Sequence, residues 1–251
     1  MKFSIITCTW NSEPYLVQSI DSVLSQDYSD IEYIFVDGGS TDGTLERIRA
    51  IPRPVKLLTG IRGGISRAMN EGVRAAPGDV ISHLHSDDYY LYPRVLSDVA
   101  EIMSKTGAQW LFGRDMTDVD GKLVAESWQV PKYSYKELLR LNFIPHPDTF
   151  IRRSLFERAG GFDETLKYSM DYDFFLRIGK LAEPVQVDNY FTAFRAHSGS
   201  ASTANALRGF NEDFRVRLRH AGWSPWALLY HGAYYIGRRL RWAHQLAREK
   251  H

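Results

Sequence analysis

Two adjacent carboxylates, Asp87 and Asp88, follow the apolar run Asp-Val-Ile-Ser (79–82) within the stretch Ser-His-Leu-His-Ser-Asp-Asp-Tyr-Tyr (82–90). The run reads as a buried strand, so both acids close its C-terminal end. Like charges in contact drive one carboxyl toward protonation. A divalent cation would remove that conflict, because hard cations take carboxylate oxygens readily. An Asp-rich turn accounts for the same residues, since aspartate is a good turn former. The elements that position the two acids narrow the choice.

Strand-like and helix-like patterns alternate through the first half. Strands are expected over 3–9, 31–37, 55–60 and 79–84. Between them, apolar residues recur at helical spacing: Leu16, Ile20, Val23 and Leu24 after a cap at Asn11 or Ser12, then Leu45 and Ile48, then Ile65, Ala68, Met69 and Val73. A further helix is expected from about Pro93 to Lys105. This rhythm predicts an α/β fold, a mostly parallel central sheet with helices on both faces. After residue 108 the rhythm changes. Two strands flank the turn Asp120-Gly121, and a short helix follows over 133–141. A strand over 148–153 leads into a helix closed by Gly160-Gly161. Another helix is expected over 168–181 and a strand pair over 184–197.

Ligands bind outside the carboxyl ends of strands in open parallel sheets. The loops there are 9–11, 37–43, 60–64 and 85–88, and Gly38, Gly39, Gly43, Gly63 and Gly64 lie in them. Glycine lets a ligand approach the backbone, so acids and glycine loops on one edge suit a phosphate-bearing ligand.

A chain of 251 residues, 44% of them hydrophobic, fits one large domain with a real core. Cys8 is the single cysteine, which excludes an intramolecular disulfide and a cysteine-based zinc site and fits a reducing compartment. The N-terminal residues lack the apolar core of a signal peptide, and no stretch reaches the roughly 18 apolar residues of a membrane span. The net charge of +1 hides an asymmetry: 207–251 carry nine Lys/Arg against three Asp/Glu, so the body is mildly acidic. That argues against a nucleic-acid partner and leaves an anionic surface open for the tail.

Ile-Ile-Thr-Cys-Thr-Trp-Asn (5–11), Val-Asp-Gly-Gly-Ser-Thr-Asp-Gly-Thr (36–44), His-Ser-Asp-Asp (85–88), Gly-Gly-Phe-Asp-Glu (160–164) and Met-Asp-Tyr-Asp-Phe-Phe-Leu-Arg (170–177) occur in this order. Together they resemble family 2 glycosyltransferases, over residues 3–202 of this chain. The resemblance implies a GT-A fold with a Rossmann-like nucleotide-binding half. It implies inverting, metal-assisted transfer of a sugar from a nucleotide-diphosphate sugar to a hydroxyl of a glycan or lipid-linked acceptor. Residues 1–107 would then form the nucleotide-sugar-binding half, 108–205 the acceptor and catalytic half, and 206–251 a basic, aromatic, helical extension.

On matching positions, the resemblance puts Thr7 and Thr9 at the nucleotide cradle and Asp37 against the base and ribose. A cap on the helix near Thr41 is the other reading of Asp37. Arg62 is implied as a diphosphate or sugar contact, or is a solvated arginine. Asp87 and Asp88 would hold Mn²⁺ or Mg²⁺ bridging the donor's phosphates, with Asp87 also counted as a donor contact, and His197 of Phe-Arg-Ala-His (194–197) is the implied third ligand. Inversion needs a general base for the acceptor hydroxyl, and the family position for it is Asp171. Asp173 is the runner-up, or compensates the helix dipole. The chain departs from the family at Gly38 and Met170, where relatives carry acids, and at His85, the first position of the Asp motif. His85 touches the ribose or only packs, with packing or water contact favoured; Trp10 is read as core rather than as a stacking platform; and the role of His146, between Pro145 and Pro147, stays open.

Residues 223–251 mix Trp, Tyr and Leu with five basic side chains from Arg238 onward. Leu228, Leu229, Tyr235, Ile236 and Leu240 could form one apolar stripe. Such a helix suits peripheral membrane contact, docking on the domain, or a homodimer. The implied setting is cytoplasmic, at or near the inner face of a membrane. Two other functions compete. A sugar nucleotidyltransferase would need a basic glycine-rich phosphate loop near the N-terminus, and Thr-Cys-Thr-Trp-Asn-Ser-Glu (7–13) does not supply one. A degenerate, non-catalytic binder of nucleotide sugar or glycan draws on Gly38, His85 and Met170.

Overall fold

Strand β1 (Phe3–Thr9) is buried along its whole length, as a parallel strand covered on both faces must be. It lies between β2 (Ile31–Asp37) and β4 (Val80–His83), with β3 (Lys56–Leu58) outside β2, and all four run parallel. These features come from a computed structural model that describes residues 1–126, 128–197, 206–222 and 225–248. Beyond β4 the sheet becomes mixed. The strand β8 (Thr149–Arg152) is antiparallel to β4 and to β6 (Trp110–Val119), and β9 (Val185–Arg195) is parallel to β6. The short β5 (Tyr89–Tyr90) pairs with the far side of β9, and β7 (Lys122–Ala125) closes a hairpin on β6. At its turn Asp120 and Gly121 both take positive φ, 51° and 83°, the backbone of a tight type I′ hairpin.

Alternating side chains of β1 feed two cores. Ile6 and Cys8 meet Val36, Ile81 and helix α3 (Ile65–Ala75). Phe3 and Ile5 meet Phe35, Val80 and helices α1 (Glu13–Leu24) and α4 (Val95–Thr106) on the other face. The remaining helices are α2 (Thr44–Arg49), α5 (Tyr135–Arg140), α6 (Arg153–Arg158) and α7 (Met170–Leu181). Gly160 and Gly161, with φ of 79° and 75°, end α6 as the sequence predicts. The expected strand pair over 184–197 is instead the single strand β9. Asp188-Asn189 looks like a turn, but β9 continues past it alongside β6 through a register shift, pinned by the Asp148 carboxylate, which accepts the Phe191 N–H at 2.9 Å and the Thr192 hydroxyl.

Two helices follow, α8 (Ala206–Ala221) and α9 (Pro225–Arg248). Val216, Arg217 and Leu218 of α8 are buried, and Arg217 Nε donates to the Tyr172 hydroxyl at 3.2 Å. Helix α9 rests on α8: Tyr235 stacks on Phe214 with centroids 4.9 Å apart, and Arg238 covers Phe210 at 4.1 Å. Tyr235 therefore leaves the predicted apolar stripe for the opposite face. No described helix is long and apolar enough to cross a membrane.

Candidate active site

The loops after β1 and β2 are stitched to each other. Asn11, at φ 51°, accepts the Thr41 N–H at 2.9 Å, while its own N–H donates to Ser40 Oγ at 2.9 Å. The Ser12 N–H donates to Thr44 Oγ1 at 2.8 Å, and Ser86 Oγ donates to Ser12 Oγ at 2.9 Å, which ties in the loop after β4. Asp37 organises this knot. Its Oδ1 accepts the N–H groups of Gly39 and Ser40 at 2.8 and 2.9 Å, and its Oδ2 accepts the Thr9 and Ser40 hydroxyls. Burial pushes the Asp37 carboxyl up, but the bonds from Ser40, Gly39 and Thr9 outweigh burial and hold it below the usual carboxylate range.

Beside the knot opens a cavity of about 570 Å³ lined by Cys8, Thr9, Trp10, Gly38, Gly39 and the segment 61–65 with Ala68. Thr9 and Arg62 line it. Thr7 and Asp37 do not: both are fully buried. The Thr7 hydroxyl donates to the Leu84 carbonyl at 2.7 Å and so buttresses β1 against the chain after β4. Asp37 does not cap α2 either, because that helix starts at Thr44 after Gly43; it shapes the cavity wall through its loop. Trp10 reverses its expectation. It is 73% exposed at the cavity mouth, because the left-handed turn at Asn11 swings the chain out of the sheet.

Asp87 and Asp88 sit at the end of β4, and β9 brings His197 to them. His197 Nε2 lies 3.0 Å from Asp87 Oδ2, both groups partly exposed, and its ring packs 4.6 Å from that of Tyr15. Asp88 is buried, and its Oδ1 accepts the Arg195 N–H at 3.2 Å. Burial and then the Asp87 charge push the Asp88 carboxyl well above its ordinary range, against that N–H bond. Such a pair of carboxylates suits a cation that would stabilise the charged form. Among the described residues no group of three or more His, Cys, Asp or Glu is placed to hold a metal ion together, so the expected set of Asp87, Asp88 and His197 is not gathered as three ligands; Asp88 is buried and turned to the Arg195 N–H. Asp87 and His197, a carboxylate and an imidazole 3.0 Å apart, are donors whose chemistry fits a divalent cation.

Arg195 is the hub that sequence reading missed. Its Nε donates to the Asp87 carbonyl at 3.1 Å, its guanidinium pairs with Asp118 at 3.3 Å, and it lies over the rings of Tyr15 and Tyr89. Its place two residues before His197 was the available signal. The His85 ring lies 5.3 Å from that of His146, which in turn lies 5.4 Å from His83.

Asp171 lies at the start of α7, and no contact links it to Asp87, Asp88, His197 or the cavity lining among the described residues. Its Oδ1 accepts the Tyr172 N–H at 2.7 Å, and Asn142 Nδ2 reaches Oδ2 at 3.4 Å. Burial pushes the carboxyl up to about 6; the Tyr172 N–H opposes the shift, the Asp213 charge adds to it and Asn142 opposes it. Asp173 is differently placed. Its carboxylate meets Arg177 at 2.8 Å, His220 at 2.9 Å and Arg219 at 3.3 Å. The two acids are separated by environment: one is half-buried and, among the described residues, pairs with no cation, while the other is neutralised inside an ion-pair cluster.

The description "glycosyl transferase family 2" matches residues 4–160. The chain belongs to that family. This family 2 glycosyltransferase is 31% identical over 185 residues to the chondroitin synthase of Pasteurella multocida, covering 72% of this chain and 19% of that one. The chain thus spans about a fifth of that relative's length. It shares its GT-A fold with S. aureus TarS, solved with UDP-GlcNAc (TM-score 0.72, 23% identity, 88% of this chain and 66% of that chain). It also shares it with a Pyrobaculum calidifontis mannosyltransferase solved with GDP-Man and Mn²⁺ (TM-score 0.65, 17% identity, 92% and 73%).

Proposed function

We propose that this glycosyltransferase moves one sugar, with inversion, from a nucleotide-diphosphate sugar to a hydroxyl of a glycan or lipid-linked acceptor, with Asp171 as general base and a divalent cation assisting. The observation that carries this reading is Asp171 itself, whose carboxyl is held near neutrality. A general base works best with a pKa close to the working pH, and the long Asn142 contact leaves Oδ2 free to receive a proton from an acceptor hydroxyl. The nucleotide occupies the cavity of Thr9, Trp10, Gly38 and Gly39, with Trp10 against the base and Arg62 at the mouth.

Asp87 and His197 would hold Mn²⁺ or Mg²⁺, with Asp88 buried behind them adding its charge and the donor's phosphates supplying further oxygens. When bound, such an ion stabilises negative charge developing on the leaving diphosphate as a Lewis acid. Arg195 holds both acids in place by a backbone donor and a guanidinium donor. In this division of labour 1–107 binds the donor, 108–205 receives the acceptor, and 206–251 is an extension. A cytoplasmic setting with peripheral membrane contact accords with the reduced, buried Cys8 and the basic tail.

Calorimetry with UDP-, GDP- and dTDP-sugars, with and without Mn²⁺, tests the donor half of the proposal. Metal-dependent binding of one nucleotide class, lost in Asp87→Ala/Asp88→Ala, is expected. Normal donor binding by Asp171→Asn, with transfer undiminished, would rule out the assigned base. Failure of folded protein to bind any of these donors would favour a non-catalytic role.

A further inference from the structure

Helix α9 contains no acidic residue between Pro225 and Arg248. Its buried side, with His231, Tyr235 and Arg238, turns to α8 and the domain. The opposite arc carries Trp226, Leu229, Ala233, Ile236 and Leu240, three or four residues apart and so on one face. All five are exposed, Trp226 by 80%, Leu229 by 65% and Leu240 by 66%. Arg239 and Arg241 border this arc on its two sides, both exposed. Among the described residues neither pairs with an acid, and Arg239 meets only the Tyr235 hydroxyl and ring.

A continuous exposed apolar stripe of this kind marks an interaction surface, and the charged rims select the partner. A second copy laid face to face would bring arginine against arginine, with no carboxylate in the helix to receive them. A bilayer with anionic headgroups satisfies both parts at once. The stripe enters the boundary between headgroups and acyl chains, and the cations meet phosphates. Asn142, just beyond α5, contacts Asp171.

We propose that α9 is an in-plane membrane anchor, seating Trp226, Leu229, Ala233, Ile236 and Leu240 in the interface of an anionic bilayer with Arg239 and Arg241 at headgroup level. This deepens the lipid-linked alternative of the proposed function and rests on that reading, in which Asp171, contacted by Asn142, is the base.

Co-sedimentation of the full chain with vesicles of phosphatidylcholine, alone or mixed with phosphatidylglycerol, tests it. Binding to the mixed vesicles about tenfold stronger than to phosphatidylcholine is expected, weakening at high salt. Leu229→Asp/Ile236→Asp should abolish binding, and Arg239→Glu/Arg241→Glu should remove the preference for phosphatidylglycerol. Wild-type protein that ignores the mixed vesicles, or an undiminished Leu229→Asp/Ile236→Asp variant, would overturn the anchor. A dimer seen by analytical ultracentrifugation and dissolved by the same aspartates would also overturn it, in favour of a second copy on this face. Donor binding measured on the same preparations keeps the two proposals apart: its absence counts against the transferase reading, and vesicle binding alone decides the anchor.

Discussion

Glu212 Oε2 accepts the Ser169 N–H at 3.0 Å, and the same carboxylate takes the N–H groups of Lys167 and Tyr168, the latter at 2.6 Å. These three residues lead directly into α7, so an acid on α8 fixes the entry to the helix that carries Asp171. A carboxylate at a helix N-terminus is favoured by the unpaired donors and the helix dipole there. Glu212→Ala leaves three donors without their anion. It should cost about 2–3 kcal/mol in urea unfolding, the scale of hydrogen bonds to a charged group. It should also lower kcat more than it changes donor Kd, with Glu212→Gln recovering part of both.

The parallel half of the sheet was legible because short apolar runs alternate cleanly with period-3.6 patterns up to residue 107. The glycine-rich strand ends located the site for the same reason. What sequence could not convey depends on partners distant in the chain. Asp37 reads as ligand-facing until Thr9, 28 residues away, is seen to donate to it. Trp10 reads as core until Asn11 adopts a positive φ. Glu212 carries no local signal at all, since its partner Ser169 lies 43 residues earlier.

A base that must be ionised gives activity that rises with pH through its own pKa, so the acid limb of kcat/KM should lie near pH 6, where the Asp171 carboxyl is held. Asp213 adds to that shift from α8, where it accepts Ser169 Oγ at 2.8 Å. Asp213→Asn removes its charge and should move the limb to lower pH. Stability runs the other way. The folded value lies above the ordinary 3.8, so this group's contribution is full below the unfolded pKa and is lost as pH rises through about 6. Asp171→Asn should therefore melt higher than wild type at pH 7 while losing about 10²–10⁴-fold in kcat. A differential scanning and kinetic series from pH 5 to 8, roughly the span over which such a group titrates, checks both signs.

Asp173 provides the contrast. Burial pushes its carboxyl up, but His220 and Arg177 outweigh burial and hold it below the usual range. Stability from this group is present above the unfolded pKa and lost as pH falls through the folded one. Asp173→Asn removes the buried carboxylate that Arg177, His220 and the half-exposed Arg219 share, and should destabilise by about 2–3 kcal/mol. It should leave the position of the acid limb where it was, so a limb displaced as far as in Asp213→Asn would contradict the separate roles given to the two acids.

Asp87 and His197 meet each other at 3.0 Å, close enough for one ion to take both. With Mn²⁺ present, His197→Ala should weaken nucleotide-sugar binding by about 10–100-fold, the scale of losing a supporting group at a metal site, and Asp87→Ala should weaken it further. Binding of the free nucleoside should be unchanged in both variants, because the cavity of Thr9, Trp10 and Gly39 is built without either residue. Chelation of the wild type should reproduce the variants' loss for the diphosphate and spare the nucleoside. Parallel calorimetry with nucleoside, nucleoside diphosphate and nucleotide sugar distinguishes the cases. Equal losses for nucleoside and diphosphate would mean that the pair supports the fold of the loops rather than an ion.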